Sequence, residues 1–157
     1  MPPLKTLIID NVRSAHNVGS LFRTSDGAGV GRIILVGYTP APKDRFGRVQ
    51  KEIAKTSLGA CNMILWEQRE NGTDIADAIT ELKKDGFIIV AVEQTKEAVS
   101  LHDFEVPSKV AYILGNEIVG VSPELLTVAD VVVEIPMQGK KESLNVGVTG
   151  GIILFHQ

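Results

Sequence analysis

One cysteine, three histidines and 5% aromatic residues in a chain of 157 exclude several classes at once. Cys61 has no partner for an internal disulfide, and His16, His102 and His156 fall at none of the spacings of a zinc site. Neither a disulfide framework nor a metal is expected. No apolar run approaches the roughly 18 to 20 residues that a membrane-spanning helix needs. The opening Met1-Pro-Pro-Leu-Lys5 also lacks the charged-then-apolar layout of a secretory signal. A cytoplasmic protein without membrane attachment is the expectation. Fifteen glycines, seven prolines and 22% charged residues fall short of any disordered or collagen-like composition. What is present is 44% apolar residues in the length of one ordinary domain. That is enough for one buried core. With no repeat, linker or composition break, residues 1–157 read as a single domain.

The net charge of −3 argues at first against a nucleic-acid binder, which usually carries a basic footprint. The total hides an asymmetry. Residues 1–60 hold nine basic side chains against four acids, a balance of +5, and the remaining residues carry −8. The densest basic stretch, Lys43 to Lys55, overlaps a segment from Gly37 to Glu52 with little apolar periodicity and with Pro40, Pro42 and Gly47. It reads as an exposed loop, and loops longer than about 12–15 residues are usually functional or disordered. A locally basic face of this kind suits a phosphate backbone, and a solvated loop is the plain alternative.

Apolar β-rich runs alternate with helical patterns along the whole chain, which points to an α/β fold with a parallel sheet flanked by helices. Strands are predicted at Thr6–Asp10, Arg32–Val36, Asn62–Trp66, Phe87–Val92, Val110–Leu114 and Val131–Ile135. Continuous runs such as Ile88–Val92 indicate strands covered on both faces. A helix is predicted over Asp74–Lys84, where Ile75, Ile79 and Leu82 repeat at i, i+4 and i+7, with Thr73 as a cap and Gly86 as the stop. Others are predicted from about Asn17 to Asp26 and from Pro123 to Val128. The last, Asn145–His156, is apolar nearly all round yet contains Gly147, Gly150 and Gly151, each costing about 0.5–1 kcal/mol relative to alanine. Such a helix implies close approach of another backbone, and burial in the core or at a subunit interface.

Ligands of α/β sheets bind at the carboxyl ends of strands, and three polar clusters follow predicted strands. The first runs from Asn11 to Arg23 and brings Arg13 and Arg23 near a helix that Asn17 is placed to cap, a surrounding that favours anions. The second is Leu114-Gly-Asn-Glu-Ile-Val-Gly-Val-Ser122. Its glycine spacing is that of a phosphate-binding loop, but Val121 stands where the lysine belongs, so a P-loop nucleotide site is excluded. The Gly27–Gly31 stretch follows a helix and precedes a strand, the reverse of a dinucleotide fingerprint. The third cluster, Ile135-Pro-Met-Gln-Gly-Lys-Lys-Glu-Ser-Leu-Asn145, ends on Ser143 and Asn145, either of which suits a helix N-cap. An apolar strand end beside a helix N-terminus suits a purine-bearing small molecule.

Taken in order, the three clusters resemble the three motifs of the SpoU-like, or TrmH-type, branch of the SPOUT superfamily of RNA methyltransferases. Asn11–Thr24 looks like the first motif, Leu114–Ser122 like the second, and Ile135-Pro-Met through Ser143-Leu-Asn-Val146 like the third. The segment Lys55–Ala60 fits as well, and the likeness spans essentially the whole chain. The resemblance implies a C-terminal deep trefoil knot that forms the pocket for S-adenosylmethionine, around Leu114, Gly115, Asn116, Ile135, Met137 and Leu144. It implies methyl transfer to a ribose 2′-hydroxyl of tRNA or rRNA, in a homodimer and without a metal. Arg23 matches the arginine credited with activating that hydroxyl, and Asn17, Glu117, Ser143 and Asn145 match the remaining polar positions of the catalytic set. A guanidinium is a poor base, because its pKa lies above about 12. The role assigned to Arg23 is therefore stabilisation of the developing 2′-oxyanion. The chain begins almost at its first strand and ends in its last helix, so RNA is expected to be gripped by the catalytic domain itself, through Arg13, Lys43, Arg45, Arg48 and Lys51. A catalytically inactive module of the same fold, binding RNA or a protein, is the alternative. The joint presence of Arg23, Glu117, Ser143 and Asn145 speaks against it.

Overall fold

The apolar runs of the sequence become parallel strands buried on both faces in a computed structural model that describes all 157 residues. The strands are β1 (Leu4–Asp10), β2 (Val30–Val36), β3 (Leu65–Arg69), β4 (Ile88–Val92), β5 (Val99–Ser100), β6 (Lys109–Leu114) and β7 (Val131–Glu134). They form one sheet in the order β3-β2-β1-β6-β4-β7-β5, every pair parallel. Ile8 lies opposite Ile34 and Ile113, so the centre of the sheet is a continuous band of β-branched side chains.

The two faces carry different cores. Helices α1 (Ala15–Gly27), α2 (Lys51–Ser57) and α5 (Val146–Phe155) cover one face and share its cluster of 24 buried residues, among them Leu7, Ile9, Leu21, Phe22, Ile53 and Leu154. Helices α3 (Thr73–Lys84) and α4 (Pro123–Val128) cover the other through Ile75, Ile79, Leu82 and Leu125. Alternate residues of each strand serve alternate faces, as the two-residue strand period requires. No helix is long and apolar enough to cross a membrane.

The glycines of α5 meet α1, as the sequence led us to expect. A Cβ at Gly150 would lie 2.4 Å from Leu21 Cδ2, and one at Gly147 would lie 3.7 Å from Ser20 Cβ. The far end of the same helix is tied by Lys5, which is 7% exposed. Its ammonium donates to Leu154 O at 2.7 Å and to Ala28 O at 3.3 Å, at the C-terminal ends of α5 and α1 where a cation is favoured. Burial pushes its pKa below the usual lysine value.

Three local expectations are corrected. The third strand is β3, Leu65–Arg69, and not Asn62–Trp66. Residues Ala60–Asn62 instead form a tight 3₁₀ turn whose Ala60 carbonyl accepts from Met63 N and Ile64 N. Pairing with β2 sets this edge strand, and its Glu67 and Arg69 bond each other and not the core. The long loop ends sooner than its composition suggested, because Gln50 accepts from Glu52 N at 3.1 Å and starts α2 at Lys51. Thr73 is the first residue of α3 and not its cap, which is Gly72.

Candidate active site

The carboxyl ends of β4, β6 and β7 open into one cleft of about 600 Å³, at the sheet edge where ligands of parallel sheets are held. Its walls are the turn after β6 and the segment from β7 to α5. All six residues expected to hold the cofactor, Leu114, Gly115, Asn116, Ile135, Met137 and Leu144, line it, together with Glu117, Ser143 and Asn145.

Tight backbone packing builds the first wall. A Cβ at Gly115 would fall 2.2 Å from Val121 N and 2.3 Å from Gly120 C. Asn116 and Gly120 exchange backbone hydrogen bonds of 3.0 and 2.9 Å, and Gly120 has φ +75°. The Asn116 side chain is spent inside the protein. Its Oδ1 accepts from Ile118 N and Val119 N, and its Nδ2 donates to Asn11 O at 2.8 Å and to Tyr38 Oη at 2.9 Å. With its side-chain bonds closed inside the protein and its backbone N–H and C=O paired with Gly120, Asn116 shapes the turn and leaves no free donor for a ligand. Glu93, at the end of β4, accepts from Val121 N at 2.9 Å, and Asp10, at the end of β1, accepts from Ser122 N at 2.7 Å. The turn is thus pinned from two strands.

Around the mouth, the first and third sequence clusters meet. Ser14 caps α1 by accepting from Asn17 N at 3.2 Å, so the capping role expected of Asn17 belongs to Ser14. Asn145, and not Ser143, caps α5 by accepting from Gly147 N at 2.8 Å, while its amide donates to Asn17 Oδ1 at 3.3 Å. Glu117 accepts from Arg13 N and Ser14 N, each at 3.2 Å. Burial would raise the pKa of its carboxyl, but bonds from its own N–H, from Arg13 and Ser14, and from Asn17 outweigh that and hold it below the ordinary 4.5. The stabilisation is present above that value and is lost as pH falls through the lowered one. Acid unfolding should therefore show a contribution of about 0.3–1 kcal/mol, small because the carboxylate is exposed, that Glu117→Gln removes. Thermal unfolding of both proteins between pH 3 and pH 6 measures it, and an unchanged acid dependence in the variant would contradict it.

Arg23 does not line this cleft. It stands exposed on α1, about 9 Å along the helix from Asn17, and forms no ion pair. It shares its face of the helix with Ser20 and Gly27, which abut Gly147 and Phe155 of α5. Of the five expected RNA contacts, Arg45, Arg48 and Lys51 line a second cleft with Tyr38 and Arg69, and Arg13 and Lys43 lie outside it. Arg48 is paired with Asp44 at 2.6 Å.

Glu93, Gln94 and Glu134 are cleft residues that the sequence did not single out, although each stands at the end of an apolar strand. Gln94 Nε2 donates to Glu142 O at 2.5 Å and holds the segment before α5 across the cleft. No group of three or more His, Cys, Asp or Glu side chains is arranged to hold a metal ion.

Known proteins supply the remaining step. The chain is 33% identical over 153 residues to the 23S rRNA (guanosine-2′-O-)-methyltransferase RlmB of Neisseria meningitidis, covering 98% of this chain and 57% of that protein. It is 34% identical over 153 residues to the tRNA (guanosine(18)-2′-O)-methyltransferase of Aquifex aeolicus, covering 96% of this chain and 68% of the relative. The chain thus spans a little over half to two thirds of the length of these relatives. Among solved structures, the AdoMet-bound rRNA methyltransferase from Sinorhizobium meliloti superposes with a TM-score of 0.85 at 28% identity, over 99% of this chain and 56% of that one. Residues 5–155 match the family model described as the SpoU rRNA Methylase family. Fold, motif order and sequence agree, and the chain belongs to the SpoU rRNA methylase family.

Proposed function

We propose that this chain transfers a methyl group from S-adenosylmethionine to a ribose 2′-hydroxyl of tRNA or rRNA, as one methyltransferase domain over residues 1–157. The observation that carries the reading is the cleft between the second and third sequence clusters, with the mouth network of Asn17, Glu117 and Asn145 beside it. Its lining fits the cofactor. Leu114, Ile135, Met137 and Leu144 offer an apolar bed for a purine. The charged residues of the lining are Glu93, Glu117, Glu134 and Glu142, with no lysine or arginine, a balance that favours a cationic ligand. S-adenosylmethionine supplies an electrophilic methyl group on a sulfonium. The segment from β7 to α5 is proposed to pass the turn after β6 as the trefoil knot of this superfamily.

Within this reading Arg23 stabilises negative charge on the ribose 2′-oxygen as it develops, and the proton leaves to a phosphate or water. Asn17, Glu117, Ser143 and Asn145 orient the ribose and its phosphate. Arg13, Lys43, Arg45, Arg48 and Lys51 hold the RNA backbone. A homodimer is proposed through α5, where Val148, Ile152 and Phe155 remain exposed at i, i+4 and i+7 beside the α1 face that carries Arg23. A cytoplasmic location is proposed along with the RNA substrate.

The test is incubation of the purified chain with tRNA or rRNA and methyl-labelled cofactor, followed by nuclease digestion. Label in 2′-O-methylnucleosides supports the reading. RNA that binds without acquiring label would leave the inactive binding module of the same fold.

A further inference from the structure

The most exposed aromatic side chain of the protein is Phe46, at 69%, in a chain with only eight aromatic residues. It stands at the tip of a tight hairpin. Lys43 and Val49 pair as an isolated antiparallel bridge, Gly47 N donates to Asp44 O at 2.9 Å, and Gly47 takes φ +77°. Asp44 fixes the tip from within. Its carboxylate accepts from Phe46 N at 2.8 Å, from Arg48 N at 3.0 Å and from Arg48 Nε at 2.6 Å. Those bonds hold the Asp44 carboxyl below its ordinary value, the backbone bond from Arg48 contributing most. The one acid of the tip is therefore committed to the turn. Both neighbouring guanidinium groups lie against the Phe46 ring, with Arg45 Cζ 4.9 Å and Arg48 Cζ 5.2 Å from its centroid.

The Phe46 ring belongs to neither hydrophobic core and stays exposed with two guanidinium groups against it. The chemistry that uses a planar ring and two planar cations together is stacking on an unpaired nucleobase, with the cations close to the neighbouring phosphates. A tip already ordered in the free protein spends little conformational entropy on binding. Phe46 lines neither cleft, so a base stacked on it lies outside the methyl-transfer site and belongs to a flanking nucleotide. The root of the same loop reaches the cofactor cleft, because Tyr38 Oη accepts from Asn116 Nδ2. We propose that Arg45, Phe46 and Arg48 form a stacking site for an unpaired base that flanks the modified nucleotide of the substrate RNA. This rests on the RNA reading given above.

The test uses the full chain, a short labelled single-stranded RNA of mixed sequence and a blunt RNA duplex of equal length, titrated over a range of salt. Phe46→Leu is expected to weaken binding of the single strand about tenfold. The slope of log K against log salt and the affinity for the duplex should both stay unchanged, because no phosphate contact is lost. Arg45→Ala should lower that slope by about one, and Phe46→Trp, which keeps a stacking surface, should bind as the natural protein does. Phe46→Leu binding the single strand as tightly as the natural protein, or Phe46→Trp as weak as Phe46→Leu, would overturn the stacking site alone. A natural protein that binds neither RNA would overturn it together with the RNA reading beneath it.

Discussion

Replacing Arg23 with alanine is expected to lower methyl transfer by about 10²- to 10³-fold while S-adenosylhomocysteine still binds. The size follows from what the side chain does in the proposed reaction. A ribose hydroxyl that attacks a methyl group gathers negative charge on its oxygen, and a fixed guanidinium lowers the free energy of that charge more than that of the neutral hydroxyl. The loss should therefore fall mainly on kcat. Cofactor binding should survive because Arg23 does not line the cofactor cleft. Folding should survive because the side chain is exposed and forms no ion pair. Arg23→Lys keeps the charge but not the planar fork and should lie between the two. Single-turnover rates, together with calorimetric titration of each variant, measure these quantities. An alanine variant with nearly full activity would remove Arg23 from the reaction, and one that fails to fold would make it structural.

The second large effect belongs to Gly115→Ala, which should weaken S-adenosylhomocysteine binding by up to about 100-fold. An added Cβ would lie 2.2 Å from Val121 N, 2.3 Å from Gly120 C and 2.5 Å from Gly120 O. Every one of these atoms is backbone, and Glu93 and Asp10 pin the same turn through Val121 N and Ser122 N. No side chain can rotate away, so the turn itself must open and the cleft wall with it. If the wall must close against the added Cβ to hold the ligand, an overpacking cost of about 1–3 kcal/mol is set against binding, which at about 1.4 kcal/mol per tenfold reaches the order of 100-fold. Overpacking should also cost about 1–3 kcal/mol of stability, a fall in Tm of several degrees for a domain of this size. Gly139→Ala is the control, since a Cβ there has nothing within 4 Å and both affinity and Tm should stay unchanged. Equal behaviour of the two variants would contradict the role given to the turn.

The sheet was legible where burial was complete. Strands β1, β2, β4 and β6 are runs such as Ile88–Val92 whose apolar character needs no alternation, because helices cover both faces, and half-buried β7 still showed through Val131–Val133. Edge strand β3 was misplaced by three residues, since its Glu67, Gln68 and Arg69 carry no apolar signal and only pairing with β2 sets its register. Helix α2 spans two turns and buries one large apolar side chain, Ile53, too little for a period to show. Thr73 looked like a cap, but the chain enters α3 through Gly72 at φ +85°.

In and around the cleft, the type of each residue was informative, and its use was legible only in part. Gly150 was read as a point of close approach and meets Leu21. Asn116 was expected at the cofactor and lines the cleft, and what the sequence did not tell is that its side-chain bonds all close within the protein. Glu93 went unremarked, though the end of an apolar strand is where a polar side chain deserves notice. The knot that the resemblance implies would be a property of the path of the chain, and neither composition nor periodicity carries information about which loop passes through which.

The central claim is that the cleft between the Leu114–Ser122 turn and the Ile135–Asn145 segment holds S-adenosylmethionine. Calorimetric titration of the purified, folded chain with S-adenosylhomocysteine tests it without any choice of RNA. Saturable binding at one site per chain, weakened in Gly115→Ala and kept in Arg23→Ala, is the expected result. A folded chain that takes up no S-adenosylhomocysteine would contradict the account.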